Sequence, residues 1–154
     1  MVLLAPLSGC PGHLEFGDGT GGTGGGACVP NGGMTTPPAT FETVRTAFQG
    51  FGAVDSCASA ACHGANGIAP PSKPLTLQND ANLYMNLMTY VSHACGDIPL
   101  VNPGKPNESG LIKILSGPCG TTVRMPFGCT DEHCYDADLM GAISQWIANC
   151  APEN

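Results

Sequence analysis

Hydrophobic residues recur every three or four positions in four segments of the chain, which is the spacing of one face of an α-helix. The first predicted helix begins near Thr40, and Gly50 and Gly52 end its apolar pattern. The second is predicted to begin at Asn79 or Asp80, either of which can cap it, and to continue through Ser92. The apolar positions of these two helices are Phe41, Val44, Phe48 and Phe51, and then Leu83, Tyr84, Met85, Leu87, Met88, Tyr90 and Val91.

A short third helix and a longer last helix are predicted further along the chain. The third covers residues 108–115, and the last begins at Asp136 or Asp138. Their inward positions are Leu111, Ile112 and Leu115, and then Leu139, Met140, Ile143, Trp146 and Ile147. No segment alternates apolar and polar residues as a half-buried strand does, so we predict an all-α fold of four short helices joined by long loops. Because long loops are uncommon in a compact domain unless something holds them, we expect a bound group in the core and disulfides across the loops.

The composition divides the chain of 154 residues into three parts. Residues 1–10 end in Leu7-Ser8-Gly9-Cys10, which resembles a bacterial lipobox at the end of a shortened signal peptide. Residues 11–39 are glycine-rich, which is typical of a flexible tether, and residues 40–154 carry the predicted helices. We therefore expect Cys10 to carry a lipid and the protein to lie in the bacterial cell envelope, as a periplasmic or outer-membrane lipoprotein. The alternative is that Cys10 is an ordinary loop cysteine.

The charge balance argues against several classes of protein. Twelve Asp and Glu residues against five Lys and Arg give a net charge of −7, which argues against a nucleic-acid-binding protein. The chain is 42% hydrophobic, which argues against a charged disordered chain. The sequence contains neither a serine-nucleophile motif nor a phosphate loop, and its carboxylates near residues 131–138 are typical of a solvated loop and a helix N-terminus. We therefore expect no enzymatic activity.

The segment Cys57-Ala-Ser-Ala-Ala-Cys62-His63-Gly64 carries the candidate chemistry. Two cysteines followed directly by a histidine form the arrangement that attaches c-type haem. Each thiol bonds one vinyl group, and the histidine lies under the iron as its proximal ligand. Four residues separate Cys57 from Cys62 instead of the usual two, and their small side chains allow the loop to bulge. The alternative is a Cys57–Cys62 disulfide with His63 as a loop residue.

A single haem also needs a second axial ligand, from a distant loop. We predict Met125, in Arg-Met-Pro-Phe-Gly before the last helix, because a thioether is a weak, soft ligand that raises the haem potential. The alternative is a methionine that fills a gap in the core. His93 and His133 are competing ligands. We expect His93, at the end of the second helix, to interact with the helix dipole instead, and His133 lies in an acidic loop.

Further segments follow the cysteine motif in a fixed order: Val-Asn-Pro-Gly-Lys-Pro-Asn-Glu-Ser-Gly-Leu over 101–111, Met-Pro-Phe-Gly over 125–128, and the last amphipathic helix. With the first helix and the cysteine motif, they make residues 41–151 resemble the class I cytochrome c-like domains of secreted and lipid-anchored bacterial proteins. The C-x4-C spacing and the additional cysteines depart from the pattern of that family and suggest a disulfide-reinforced branch.

The resemblance implies an all-helical fold around one covalent haem c, with electron transfer as its role. His63 and Met125 would be the axial ligands of the iron, and Cys57 and Cys62 would hold the haem. The first and last helices of such domains cross near the haem, which would place Phe48 and Trp146 at their contact. We expect a monomer that exchanges electrons with redox partner proteins.

The chain contains nine cysteines, and six remain once the lipid and the haem are assigned. These six are Cys28, Cys95, Cys119, Cys129, Cys134 and Cys150. The sequence does not choose among their pairings, although Cys129–Cys134, Cys95–Cys119 and Cys28–Cys150 are each reasonable. A metal site made of Cys129, His133 and Cys134 is an alternative. The main alternative for the whole protein is a haem-free, disulfide-stabilised structural or interaction lipoprotein of the same fold.

Overall fold

Four helices and one short pair of strands form the part of the chain that the structure describes. The computed structural model describes residues 28–49, 57–58, 63–64, 75–120, 122, 124–126 and 135–154. In chain order the elements are α1 (Phe41–Gln49), α2 (Leu83–Thr89), β1 (Val91–Ser92), β2 (Ile98–Pro99), α3 (Gly110–Ser116) and α4 (Ala137–Ala148), with single 3₁₀ turns at His93–Cys95 and Pro106–Glu108. Each predicted helix has a counterpart, whereas the expectation of no strand is wrong at β1 and β2.

Both the first and the last helix begin at a side-chain cap. Thr40 Oγ1 accepts a hydrogen bond from the Thr43 amide (3.2 Å), and Asp136 Oδ1 accepts one from the Leu139 amide (2.7 Å). Such caps satisfy amides that the first helical turn leaves without a partner. Of the two starts that the sequence allowed for the last helix, the chain therefore uses Asp136.

Helices α1 and α4 pack against each other and form the centre of the core. They bury Phe41, Val44, Ala47 and Phe48 from α1, and Ala142, Ile143, Trp146 and Ile147 from α4. The rings of Phe41 and Trp146 stack with their centroids 6.0 Å apart. Phe41 thus makes a ring contact across these helices, and Phe48, which the resemblance places at the contact, is buried in the same core.

The second helix is shorter than predicted at both ends. It begins at Leu83, and Asp80 Oδ1 accepts a hydrogen bond from the Asn82 amide (2.7 Å) in the turn before it. Leu83 and Leu87 are fully buried, but Met85 is 55% exposed. The predicted position of Met85 on the apolar stripe is therefore wrong.

The chain leaves the helical path at Tyr90 because it pairs with a later segment. Strands β1 and β2 pair antiparallel, and the Leu100 amide donates to the Tyr90 carbonyl (2.8 Å). The turn between the strands holds Cys95, which is bonded to Cys119. These non-local pairings override the helical pattern that was predicted to continue through Ser92.

Two disulfides join distant parts of the described chain. Cys28–Cys150 links the segment before α1 to the end of α4, and Cys95–Cys119 links the β-turn to the loop after α3. Both pairs are among those that the sequence left open. The third candidate pair and the alternative metal site, both within residues 129–134, lie outside the described residues.

A buried serine holds the loop between β2 and α3. Ser109 is 0% exposed, and its Oγ accepts from the Asn102 amide (2.9 Å) and donates to the Lys105 carbonyl (3.0 Å). The Gly104 amide donates to the Ile147 carbonyl (2.7 Å), which ties this loop to α4. We call the four helices and the loops bonded to them the helical scaffold. The segment over 101–110 is therefore part of this scaffold.

The end of the predicted tether, residues 28–39, also contacts the last helix. Besides the Cys28–Cys150 bond, the Gly32 amide donates to Asn149 Oδ1 (3.0 Å). None of the helices in the described part of the chain combines the length and the hydrophobicity that crossing a membrane requires.

Candidate cofactor site

The backbone holds the His63 ring in one orientation. His63 Nδ1 lies 3.0 Å from the Leu75 carbonyl oxygen, and because a carbonyl only accepts, Nδ1 carries the hydrogen. In the neutral ring the lone pair then lies on Nε2. Burial lowers the pKa of His63 and outweighs the opposing effect of the hydrogen bond to Leu75, so the neutral ring is favoured. The ring thus offers Nε2 as a ligand for a metal.

Two backbone hydrogen bonds fix the chain on either side of this ring. The His63 amide donates to the Cys57 carbonyl (3.0 Å), and the Leu77 amide donates to the His63 carbonyl (2.8 Å). Leu77 is buried, and its own carbonyl accepts a hydrogen bond from Gln49 Nε2 on α1 (3.1 Å). The structure therefore brings Cys57 and His63 together and ties them to the first helix.

The Cys57 sulfur contacts a buried tyrosine that the sequence analysis missed. Cys57 Sγ lies 3.3 Å from Tyr135 Oη, and the Tyr135 hydroxyl also donates to the Ala47 carbonyl at 3.5 Å. Burial raises the pKa of Tyr135, and the neighbouring Cys57 raises it further, so the hydroxyl stays protonated. The only indication in the sequence is that Tyr135 directly precedes the capping residue Asp136. A tyrosine that is buried there is expected to have a polar partner for its hydroxyl.

Met125 is fixed on the end of α3. Its amide donates to the Ile114 carbonyl (3.0 Å), and the neighbouring Arg124 Nε donates to the Leu115 carbonyl (2.8 Å). A cationic side chain is favourable near the last carbonyls of a helix. This hydrogen bond therefore holds Arg124, the residue before Met125, to the end of α3. Arg124 was not singled out from the sequence, although its place beside Met125 is visible there.

The site residues lie at the margin of the hydrophobic core. Cys57, Leu75 and Met125 are half-buried, and all three pack against the core formed by the helices. A half-buried apolar side chain keeps surface that a bound apolar group would remove from water. The three residues are thus anchored but only partly covered.

The other predicted site residues are either outside the described residues or placed elsewhere. Cys62, Cys10 and His133 belong to the first group. His93 lies in the turn after β1, and its Nδ1 pairs with Asp97 Oδ1 at 2.5 Å. The expected interaction of His93 with the end of the second helix is therefore wrong, since α2 ends before β1.

A separate cavity of about 750 Å³ lies beside Leu75. Its described lining includes His93 and Asp97 but not Cys57, His63 or Met125. Within the described ranges, no group of three His, Cys, Asp or Glu side chains is placed to hold a metal ion. What these ranges do offer is one oriented histidine whose amide is bonded to the Cys57 carbonyl, and a histidine is a common ligand of haem iron.

Comparison with models of known protein families, with curated proteins and with solved structures gives no match to this chain. Its function is therefore inferred from the chemistry of the site residues.

Proposed function

We propose that the protein is a mono-haem c-type electron-transfer protein of the bacterial envelope. The hydrogen bond from His63 Nδ1 to the Leu75 carbonyl (3.0 Å) is the observation that carries this proposal. Metal-ligating histidines usually donate their other ring N–H to a carbonyl or carboxylate, which fixes the ring and increases the basicity of the ligating nitrogen. His63 has this arrangement and directly follows the second cysteine of the motif.

The donor set fits a covalently bound haem. Cys57 and Cys62 supply one thiol each for two thioether bonds, and His63 supplies the proximal nitrogen. Met125 supplies a thioether as the weak sixth ligand, a combination that raises the reduction potential of haem. Cys57, Leu75 and Met125 also keep the partly exposed apolar surface that a haem would cover.

A bound haem supplies one-electron redox chemistry, and the residues of the chain bind and surround it. His63 and Met125 would hold the iron, and the two cysteines would prevent the haem from dissociating. The hydrophobic core against which Cys57 and Met125 pack would shield part of the haem from water, which is one way a protein sets a redox potential. No substrate bond is made or broken, so the proposal includes no enzymatic activity.

The proposal also includes an anchor and a class of partner. Cys10 would carry a lipid in the cell envelope, and the glycine-rich segment after it would separate the lipid from the folded domain. The domain would act as a monomer that exchanges electrons with redox partner proteins. A chain with a net charge of −7 favours partners whose docking surfaces are positive or neutral.

The decisive experiment is expression of the full chain together with a cytochrome c maturation system. We expect a haem absorption spectrum, and we expect the haem to stay on the chain during acid–acetone extraction because thioether bonds survive that treatment. A colourless protein, or haem that is extracted, would overturn the proposal and favour the haem-free disulfide-stabilised lipoprotein.

A pair of histidine variants tests the proximal ligand. His63→Ala should abolish the low-spin haem spectrum, because it removes the oriented nitrogen. His93→Ala is the matched control and should leave the spectrum unchanged, since His93 is exposed and pairs with Asp97. If both variants keep the wild-type spectrum, His63 is not the proximal ligand.

A further inference from the structure

We propose that Tyr135 is the positioning residue that orients the Cys57 sulfur for attachment to haem, an inference that rests on the proposed function. The Tyr135 hydroxyl lies 3.3 Å from Cys57 Sγ, and the residue is 2% exposed. The scaffold therefore places a buried side chain, from the residue before the cap of the last helix, at the Cys57 sulfur.

The scaffold fixes this tyrosine from two sides. Tyr135 directly precedes Asp136, whose carboxylate caps α4 through the Leu139 amide (2.7 Å). Its hydroxyl also donates to the Ala47 carbonyl on α1 (3.5 Å). A buried ring held between two helices has few alternative rotamers, so it places its hydroxyl reproducibly. Tyr135 thereby links the position of the Cys57 sulfur to the packing of α1 against α4.

A hydroxyl suits the Cys57 sulfur both before and after attachment. As a thiol, Cys57 can donate its S–H to the Tyr135 oxygen while Tyr135 donates to Ala47. During attachment a bond forms between the sulfur and one vinyl carbon, and the thiol hydrogen is added to the other vinyl carbon. This addition needs neither an oxidant nor a reductant. The resulting thioether sulfur can only accept, and the single Tyr135 O–H can then turn from the Ala47 carbonyl and donate to it.

The contact between Tyr135 and the Cys57 sulfur is useful because the spacing of the motif is long. Four residues separate Cys57 from Cys62, compared with two in the usual haem-attachment motif. With a longer spacing, the position of one sulfur constrains the other less, because the closure entropy rises with the number of residues between them. A fixed partner for the Cys57 sulfur compensates for this loss of constraint.

The test compares Tyr135→Phe with the wild type and with Tyr84→Phe, in full chains made with the maturation system. Tyr84 is a matched control because its hydroxyl also donates to a backbone carbonyl, that of Ala151 (2.9 Å), but it does not contact Cys57. Peptide mass mapping counts the haem-bearing chains that are attached through both cysteines or through Cys62 alone. Only soluble chains that contain both the Cys28–Cys150 and Cys95–Cys119 bonds are counted, so that misfolded chains are left out.

We expect Tyr135→Phe to raise the ratio of Cys62-only to doubly attached chains by about fivefold, the change that the loss of one hydrogen bond produces. Tyr84→Phe should give the wild-type ratio. A wild-type ratio in haem-bearing Tyr135→Phe overturns the inference while leaving the proposed function intact. A wild-type chain that carries no haem overturns the proposed function itself.

A second measurement separates positioning from a general structural role. In a Cys57→Ala background the sulfur is absent, so adding Tyr135→Phe should not change the total haem content. If Tyr135→Phe lowers the haem content equally with and without Cys57, Tyr135 acts only through the stability of the fold and the inference is wrong.

Discussion

The inward side chains of α1 and α4 are almost completely buried, whereas Cys57, His63 and Met125 are each only half-buried. In the helical scaffold, side chains hold side chains, as where Phe41 stacks on Trp146. The attachment site that we propose comprises Cys57, His63 and Met125. Backbone hydrogen bonds hold His63 to the buried Leu77, Met125 to α3, and Cys57 to His63. The scaffold therefore has its own source of stability, and the attachment site is anchored to it without being covered. Changes in the scaffold should alter the free energy of unfolding with or without haem, and changes in the site should act mainly on the haem-loaded protein.

The largest expected effect is loss of the Cys28–Cys150 bond in the scaffold. The cysteines of this pair are separated by 122 residues, compared with 24 for Cys95–Cys119. Because a cross-link limits the unfolded chain more when it closes a longer loop, replacing each pair by serines should lower the free energy of unfolding by about 5 and about 3.5 kcal/mol, respectively. Denaturant unfolding of the haem-free double variants measures both values.

Which of the two disulfide variants loses more free energy of unfolding is a stricter test than either value alone. A smaller loss for Cys28–Cys150 than for Cys95–Cys119 would show that the segment before α1 is not part of the scaffold.

The next largest effect is expected from the centre of the core. Trp146 is fully buried, and its Nε1 donates to the Pro152 carbonyl (2.8 Å). Trp146→Ala should lower the free energy of unfolding by about 4 kcal/mol, through a cavity and one lost hydrogen bond. Met85→Ala, at a 55% exposed position, is the control and should change it by less than about 0.5 kcal/mol. Equal losses in the two variants would contradict the placement of the core.

The comparison of scaffold and site also separates what the sequence could predict from what it could not. Helices α1, α3 and α4 follow from their apolar spacing because each buries one continuous stripe in its own segment. The predicted end of α2 at Ser92 was wrong because Tyr90 pairs with Leu100. This contact joins residues ten positions apart and leaves no periodic signal in the sequence. Residues whose structure depends on local spacing were thus predictable, and residues whose structure depends on non-local pairing were not.

The same distinction applies to the candidate site. Cys57, His63 and Met125 could be named from their types and order, since covalent attachment and ligation depend on side-chain chemistry. The acceptor for His63 is the carbonyl of Leu75, and every residue has a carbonyl, so nothing in the sequence identifies this one. Tyr135 approaches Cys57 across 78 positions of the chain, so its role could be found only from the fold.

A middle-sized effect is expected at the loop between β2 and α3. Ser109→Ala removes two hydrogen bonds at a fully buried position and leaves the Asn102 amide and the Lys105 carbonyl without this partner. The free energy of unfolding should fall by about 2 kcal/mol. Ser116→Ala, at an exposed position at the end of α3, is the control and should have almost no effect. If Ser109→Ala leaves the free energy of unfolding unchanged, this loop does not contribute to the stability of the scaffold.

A small effect on the haem-free protein, combined with a clear effect on the haem-loaded protein, is expected for Met125. Because its side chain is only half-buried, Met125→Ala should change the free energy of unfolding of the haem-free chain by less than about 1 kcal/mol. In the loaded ferric protein the same substitution should abolish the weak near-infrared band of methionine–iron ligation and lower the melting temperature.

Met88→Ala is a matched control for Met125, because Met88 is also half-buried against the core. The near-infrared band should persist in the haem-loaded ferric Met88→Ala protein. A band that persists in Met125→Ala would place Met125 with the scaffold instead of the attachment site.

The smallest effect is a gain of stability in the scaffold. Gly141 lies inside α4, and a methyl group added there meets no atom within 4 Å. Gly141→Ala should raise the free energy of unfolding by about 0.5–1 kcal/mol, because alanine loses less backbone entropy in a helix. Gly104→Ala should have the opposite sign, since Gly104 has a φ of +79° and its added carbon would lie 2.8 Å from Cys28 Sγ. If the gain at Gly141 appears equally in haem-free and haem-loaded chains, and the attachment pattern at Cys57 stays unchanged, scaffold stability and haem attachment can be varied independently.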